Sequence, residues 1–228
     1  MQQQTSERDR DAVLARFAVS RETADRLDRF VATLLKWQGT TNLIAPSTIP
    51  DIWTRHVADS LQLLAYAGED ATHWVDLGAG GGFPGLPVGC VLAERPEAHI
   101  HLVESAGKKA AFLREATRIA GVPATIHAAR IEDVGDRVPR PIHIVTARAL
   151  APLNLLLRYA EPFLRDGAMA LFLKGQDVEA ELTEATRYWN IGEIELLPSL
   201  TDPAARVLRL RDVKLIQPPI QPLPNKRV

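Results

Sequence analysis

The stretch VDLGAGGGFPG, residues 75–85, decides how the rest of this chain is read. It continues an apolar strand that ends at Asp76, and it opens into a helix. Glycines at 78, 80, 81, 82 and 85 let the backbone turn sharply and approach a ligand with no Cβ in the way. The helix beyond offers free N–H groups and the positive end of its dipole. Strand, glycine-rich turn and helix in that order describe a loop for a nucleotide-type cofactor. Residues 80–85 also satisfy G-x-G-x-x-G, by itself a weak pointer to a dinucleotide enzyme. A glycine-rich turn without a ligand is the alternative.

Outward from this loop, short apolar runs alternate with helical stretches. HWVDLG (73–78) precedes a helix from about Pro84, and HIHLVES (99–105) precedes one over 106–120. ATIHA (124–128) and IHIVTA (142–147) follow, then a helix near 152–164, MALFLK (169–174) and a helix over 178–189. Residues 191–197 and RVLRLR (206–211) close the series. The pattern predicts about seven strands with helices between the first five, hence a mostly parallel, doubly wound sheet. With only a loop between them, the last two strands should form an antiparallel hairpin at the sheet edge. Residues 1–68 read as a helical extension before a catalytic domain at 69–228. In that extension Ser20 caps a helix carrying Leu27, Phe30, Val31 and Leu34 on one face and ending at Gly39. A second helical run from Pro50 stops at Gly68. The tail QPPIQPLPNKRV is Pro-rich and expected to be extended.

Several side chains can carry chemistry. Glu104 ends the second strand, where an acid can accept hydrogen bonds from both hydroxyls of a ribose, or simply favour a helix N-terminus. Arg148, in the apolar ARALAPL, has donors for a carboxylate or a phosphate; a structural ion pair is the alternative. Lys174 lies on the same sheet edge and either meets a phosphate backbone or closes its strand in solvent. Arg55, His56, Asp59 and Ser60 read as a wall of the substrate cleft or as a solvated helix face with an Arg55–Asp59 pair. Cys90, the one cysteine, sits in apolar PVGCVLA and reads as a buried structural thiol. His99 and His101 lack partners at ligand spacing, so no metal site is expected.

The motifs DLGAGGGFPG, LVESAGKKAAFLREA (102–116), TARALAPL (146–153) and FLKG (172–175), with TNLIAPSTIPDIWTRHVADSL (41–61), resemble the small-subunit ribosomal RNA methyltransferase G family, also called glucose-inhibited division protein B. The resemblance implies a Rossmann-like class I S-adenosylmethionine methyltransferase sheet. It also implies methylation of N7 of one guanine in the decoding region of bacterial 16S rRNA, on the small subunit or its assembly intermediate. Loss of that methyl group would confer low-level streptomycin resistance. Carried over, the cofactor contacts fall on Gly78, Gly80 and Phe83, on Ile131 and Glu132 beside the adenine, and on Arg148. Glu104 takes the ribose position.

The chemistry agrees. Guanine N7 carries an exposed lone pair, so it needs no general base, and the rate should come mainly from alignment. A buried Cys90 disfavours covalent catalysis, and TARALAPL lacks the N-P-P-aromatic loop expected for amine methylation. The competing class, an NAD-linked oxidoreductase, would need a Tyr-x-x-x-Lys pair, and none of Tyr66, Tyr159 and Tyr188 has that lysine. A non-catalytic ribosome assembly factor is the third reading.

Composition bounds these readings. The 228 residues are 46% hydrophobic and 24% charged, as in an ordinary globular protein. The polar start and the lack of an apolar run of about 18 residues predict a cytoplasmic chain with no membrane segment. It is expected to be a monomer. A net charge of −1 argues against a nucleic-acid partner only until its distribution is seen. Residues 176–195 carry six acids against Arg187, and 206–228 carry six bases against Asp212. Residues 104–130 hold Lys108, Lys109, Arg114, Arg118 and Arg130 against two acids. Trp37, Trp53 and Phe83 are candidate platforms for splayed bases.

Overall fold

Helix caps and stripes organise the first third of the chain. The computed structural model describes residues 2–216, so the Pro-rich tail, with Lys226 and Arg227, lies outside the described residues. Helices α1 (Gln2–Arg16) and α2 (Arg21–Gln38) come first, and the Ser20 hydroxyl accepts the Thr23 N–H at 3.0 Å. A 3₁₀ turn (Pro46–Thr48) and a π-helical turn (Trp53–Val57) lead into the short α3 (Ala58–Leu61) and α4 (Leu64–Ala67). Gly68, at φ +85, stops the run.

Alternation then takes over: β1 (His73–Leu77), α5 (Gly85–Leu92), β2 (His99–Val103), α6 (Gly107–Ala120) and β3 (Ala124–His127). After these come β4 (Ile144–Arg148), α7 (Leu153–Leu164), β5 (Met169–Lys174), α8 (Val178–Ala185), β6 (Trp189–Pro198) and β7 (Arg206–Leu215). The seven strands lie in the order β3-β2-β1-β4-β5-β7-β6. The first five are parallel, and β7 runs antiparallel between β5 and β6. Strand order reverses between β1 and β4, the switch point where open α/β sheets bind ligands across their carboxyl ends.

Each sheet face buries its own core. On one, Leu27 and Phe30 of α2, Leu86 of α5 and Phe112 of α6 pack with Trp74, Ile100 and Leu102. On the other, Leu157 and Phe163 of α7 meet Val75, Val103, Phe172 and Leu208. The helices before β1 thus share a core with the sheet.

Three expectations are corrected. No α-helix joins β3 to β4; the crossover holds one 3₁₀ turn, Ile131–Asp133. Gly135, Pro139 and Pro141 interrupt helical spacing there, and Val134, Val138 and Ile142 still bury against the sheet. Helix α8 ends at Ala185, because Trp189 opens β6 and its indole N–H donates to Asn154 Oδ1 at 2.8 Å. The hairpin strands are ten residues each, longer than their apolar cores suggest. Among the described residues no helix is long and apolar enough to cross a membrane.

Candidate active site

The glycine loop is held from below by two acids. Asp76, fully buried near the end of β1, accepts the Gly85 N–H with Oδ2 at 3.1 Å and the Thr146 hydroxyl with Oδ1 at 2.9 Å. It therefore ties the start of α5 to β4. Burial pushes the Asp76 carboxyl up to about 7, against these two hydrogen bonds. Glu104, just past β2, accepts the Gly80 N–H with Oε2 at 3.0 Å and the Ala106 N–H with Oε1 at 2.7 Å. Each oxygen keeps acceptor capacity, which suits a vicinal diol. Gly78, Gly80 and Gly82 have φ of +71, +54 and +87. A Cβ on Gly80 would meet only the Gly78 carbonyl at 3.7 Å, so the space above that residue is open.

From the opposite side, the N-terminal helices brace the loop. Gln38, at the end of α2, accepts the Leu43 and Ile44 N–H groups and donates to the Ile44 carbonyl. The backbone it holds lies so close to Gly81 that a Cβ there would come within 2.8 Å of the Leu43 carbonyl. That contact explains why the middle one of the three consecutive glycines is needed.

Phe83 lies between the His56 ring, stacked at 4.9 Å, and the Arg148 guanidinium, 5.1 Å from the ring centre. Arg148 pairs with Asp59 at 3.7 Å and donates to the Arg55 carbonyl at 3.4 Å. Burial lowers the guanidinium below its ordinary value, against Asp59 and Asp76. His56 meets the Thr48 hydroxyl through Nε2 at 2.8 Å, while its buried Nδ1 has no partner. Burial, then Arg148 and Arg55, pull its pKa down to about 4, so the ring is neutral at pH 7. Beside Arg148, Ala149 adopts φ +49, a conformation costly for a residue with a Cβ, and its neighbour Leu150 lies over Gly78.

The structure gathers Gly78, Gly80, Phe83, Glu104, His56 and Arg148 at one edge. Phe83 is 4% exposed, so its ring is an internal platform and only its backbone is available to a ligand. Trp53 is equally buried, and Trp37 packs edge-on against Phe112. Ile131 and Glu132 occupy the 3₁₀ turn beyond β3; Ile131 packs on the α7-side core, and Glu132 lies 3.8 Å from Arg130. The Arg55 side chain is exposed, and Asp59 pairs with Arg148 in place of Arg55. Lys174 does not close its strand in solvent. Its side chain is 9% exposed, pairs with Glu181 at 2.5 Å and donates to the Ala151 carbonyl. Cys90 is fully buried and its thiol is pushed up to about 12. Asp76 and Gln38 were missed as site residues, and Asp59, singled out with its helical neighbours, has Arg148 as its partner. An acid inside the otherwise apolar WVDLG was a legible signal for Asp76; nothing local marks Gln38.

A seven-stranded sheet with this order, a glycine loop after β1 and an acid after β2 define a class I methyltransferase fold, whose cofactor is S-adenosylmethionine. A solved Klebsiella pneumoniae chain described as an O-methyltransferase shares that fold: TM-score 0.55 at 13% identity, covering 92% of this chain and 99% of that one. The family model for rRNA small subunit methyltransferase G matches residues 23–202, and the chain belongs to that family. A "Ribosomal RNA small subunit methyltransferase G" from Bradyrhizobium sp. (strain BTAi1) is 61% identical over 183 residues, 80% of this chain and 82% of that relative. Another with this name, from Rhodopseudomonas palustris (strain BisB18), is 53% identical over 206 residues, 90% of this chain and 87% of its own. The oxidoreductase alternative falls with this membership.

The donor set fits the cofactor. Glu104 retains acceptors for a ribose, the space above Gly80 admits close backbone approach, and the helix start at Gly85 is fixed by Asp76.

Proposed function

We propose that this chain methylates N7 of one guanine in the decoding region of 16S rRNA, with S-adenosylmethionine lying over residues 78–85. The observation that carries the reading is the glycine loop locked at the sheet's switch point between Glu104 and Asp76, with open space above Gly80. Gly78, Gly80 and the Phe83 backbone would line the cofactor, with Glu104 on its ribose and Ile131 and Glu132 beside the adenine. When bound, the cofactor supplies an electrophilic methyl group on a sulfonium.

The chain's own residues support a transfer that needs no general base. His56 is neutral, but its Nε2 is engaged by Thr48 and its ring is stacked on Phe83. Asp76 holds backbone and hydroxyl groups in a fully buried position. Cys90, the one cysteine, offers no thiolate nucleophile either, since it is fully buried in α5 and burial pushes its thiol up to about 12. What remains is positioning. Arg148, oriented by Asp59 and the Phe83 face, presents further N–H donors that suit guanine O6. Preorganised donors act without reorganisation at the moment of reaction. Residues 1–68 are then a helical extension whose Arg55 and His56 turn walls the substrate cleft, and 69–228 the catalytic unit, acting as a cytoplasmic monomer on the small subunit or its assembly intermediate.

The test incubates purified protein, tritiated S-adenosylmethionine and small-subunit particles from a strain lacking the gene. Label should enter 16S rRNA and map to N7 of a single guanine by borohydride–aniline cleavage. The gene-deletion strain should also show low-level streptomycin resistance. A non-catalytic assembly factor would leave the rRNA unlabelled, and label elsewhere than N7 would refute the stated chemistry.

A further inference from the structure

Cations in this protein divide into two sets. Arg148, Lys174, Arg209 and Arg211 each face an acid: Asp59, Glu181, Glu195 and Glu193. Two of the cations of β7 are thus balanced by β6, because Glu193 and Glu195 stand directly opposite Arg211 and Arg209 in the register. Among the described residues, no ion pair involves Lys108, Lys109, Arg114 or Arg118 of α6. Glu115, that helix's one acid, closes no pair with its basic neighbours.

Lys108, Ala111, Arg114 and Arg118 are exposed and fall on one helical stripe, at spacings of three and four. At a rise of 1.5 Å per residue, Lys108 and Arg114 are about 9 Å apart along the axis, and Arg114 and Arg118 about 6 Å. Cations within about 10 Å of one another along one stripe can each meet a phosphate of one backbone. The stripe begins at the cofactor edge, where Glu104 holds the Ala106 N–H that precedes α6. It runs away from that edge beside β3, the terminal strand of the sheet. Between helix and strand lies a groove of about 450 Å³ lined by Arg114, Thr117, Arg118, Thr125 and Ile126. The Thr117 hydroxyl in its wall is buried without a hydrogen-bond partner.

We infer that the α6–β3 groove, with Arg114 and Arg118 on its rim and Lys108 further along the same stripe toward the cofactor edge, is a docking track for the phosphate backbone of the substrate RNA. The inference rests on the proposed function and extends it: the cofactor edge acts on one base, while this flank grips the strand leading to it. Unpaired cations on one stripe bind phosphate through counterion release, so their contribution depends on salt. An acidic protein would also be attracted, but the stripe starts at the cofactor edge, where the proposed RNA substrate must lie, and that continuity favours the RNA backbone.

The experiment compares wild type with Arg114→Gln/Arg118→Gln for binding of deproteinised 16S rRNA across a salt series. S-adenosylhomocysteine affinity, which these positions should not affect, reports that the variant is folded. The double variant should bind RNA about tenfold or more weakly near 0.15 M salt, with a salt slope shallower by about two. KM for RNA should rise while kcat at saturating RNA holds. An unchanged slope and affinity would overturn the inference, as would a loss seen on assembled subunits but not on deproteinised rRNA, which would assign the groove to a protein. If wild type binds RNA with the predicted dependence yet transfers no methyl group, the functional reading fails and the groove survives.

Discussion

The cofactor edge and the β6–β7 hairpin hold charge in opposite ways. At the hairpin, Arg211 and Glu193 are more than half exposed and 3.8 Å apart, so water screens them and their pairing contributes little. At the cofactor edge, Asp59 and Arg148 have side chains 15% and 20% exposed, and Asp76 is fully buried. Charges taken out of water cost several kcal/mol unless each finds a partner, and here each does. The contrast separates two uses of the same residue types. Hairpin pairs follow from the strand register and cancel charge, whereas the edge spends stability to fix donors and acceptors where a ligand arrives.

Three measurements sharpen or break this contrast. Asp59→Ala should have the largest effect, about 3 kcal/mol by urea denaturation, because it leaves the Arg148 guanidinium poorly compensated beside Phe83. Acidification comes next. His56 and His101, both drawn down to about 4 chiefly by burial, are neutral in the fold and titrate near 6.5 when unfolded. Their contribution is complete above 6.5 and lost as pH falls through 4. Burial lowers His99, His127 and His143 in the same direction. Asp76, raised to about 7, and Asp59, also raised, act oppositely and favour the fold at low pH. Five histidines against two carboxyls leave a net fall in the denaturation midpoint between pH 6.5 and 4, and His56→Gln should flatten it. Arg211→Ala should change stability least, by less than about 0.5 kcal/mol. If its cost matched that of Asp59→Ala, burial would not be what distinguishes the two regions.

Much of this was legible because it is local. The glycine loop, the strands before and after it, the Ser20 cap and the Gly68 stop are each written within a few residues of where they act. The β3–β4 crossover was not, since its apolar residues Val134, Val138 and Ile142 bury without helical hydrogen bonding. Nor was the Asp59–Arg148 pair, whose members are far apart in sequence and meet only when the π-helical turn packs over Phe83. The polar stretch around His56 announced a site but suggested the wrong partner, Arg55, because helical spacing sees only neighbours. The partner of Lys174 was hidden for the same reason: Glu181 reaches it only across the loop between β5 and α8. Charge sums misled most. The −1 total, and even the basic count of the last segment, conceal which cations are paired, and pairing is set by strand register.

The central claim is that the cofactor lies over residues 78–85, and calorimetric titration with S-adenosylhomocysteine tests it most directly. Gly78 has φ +71, and a Cβ there would lie 2.6 Å from the flexible end of Leu150. An aspartate can adopt that backbone at modest cost, but it places a carboxylate in the loop beside Glu104. Wild type should bind, and Gly78→Asp should show no measurable heat while keeping the far-UV spectrum of the folded protein. Wild-type affinity in that variant would contradict the placement of the site.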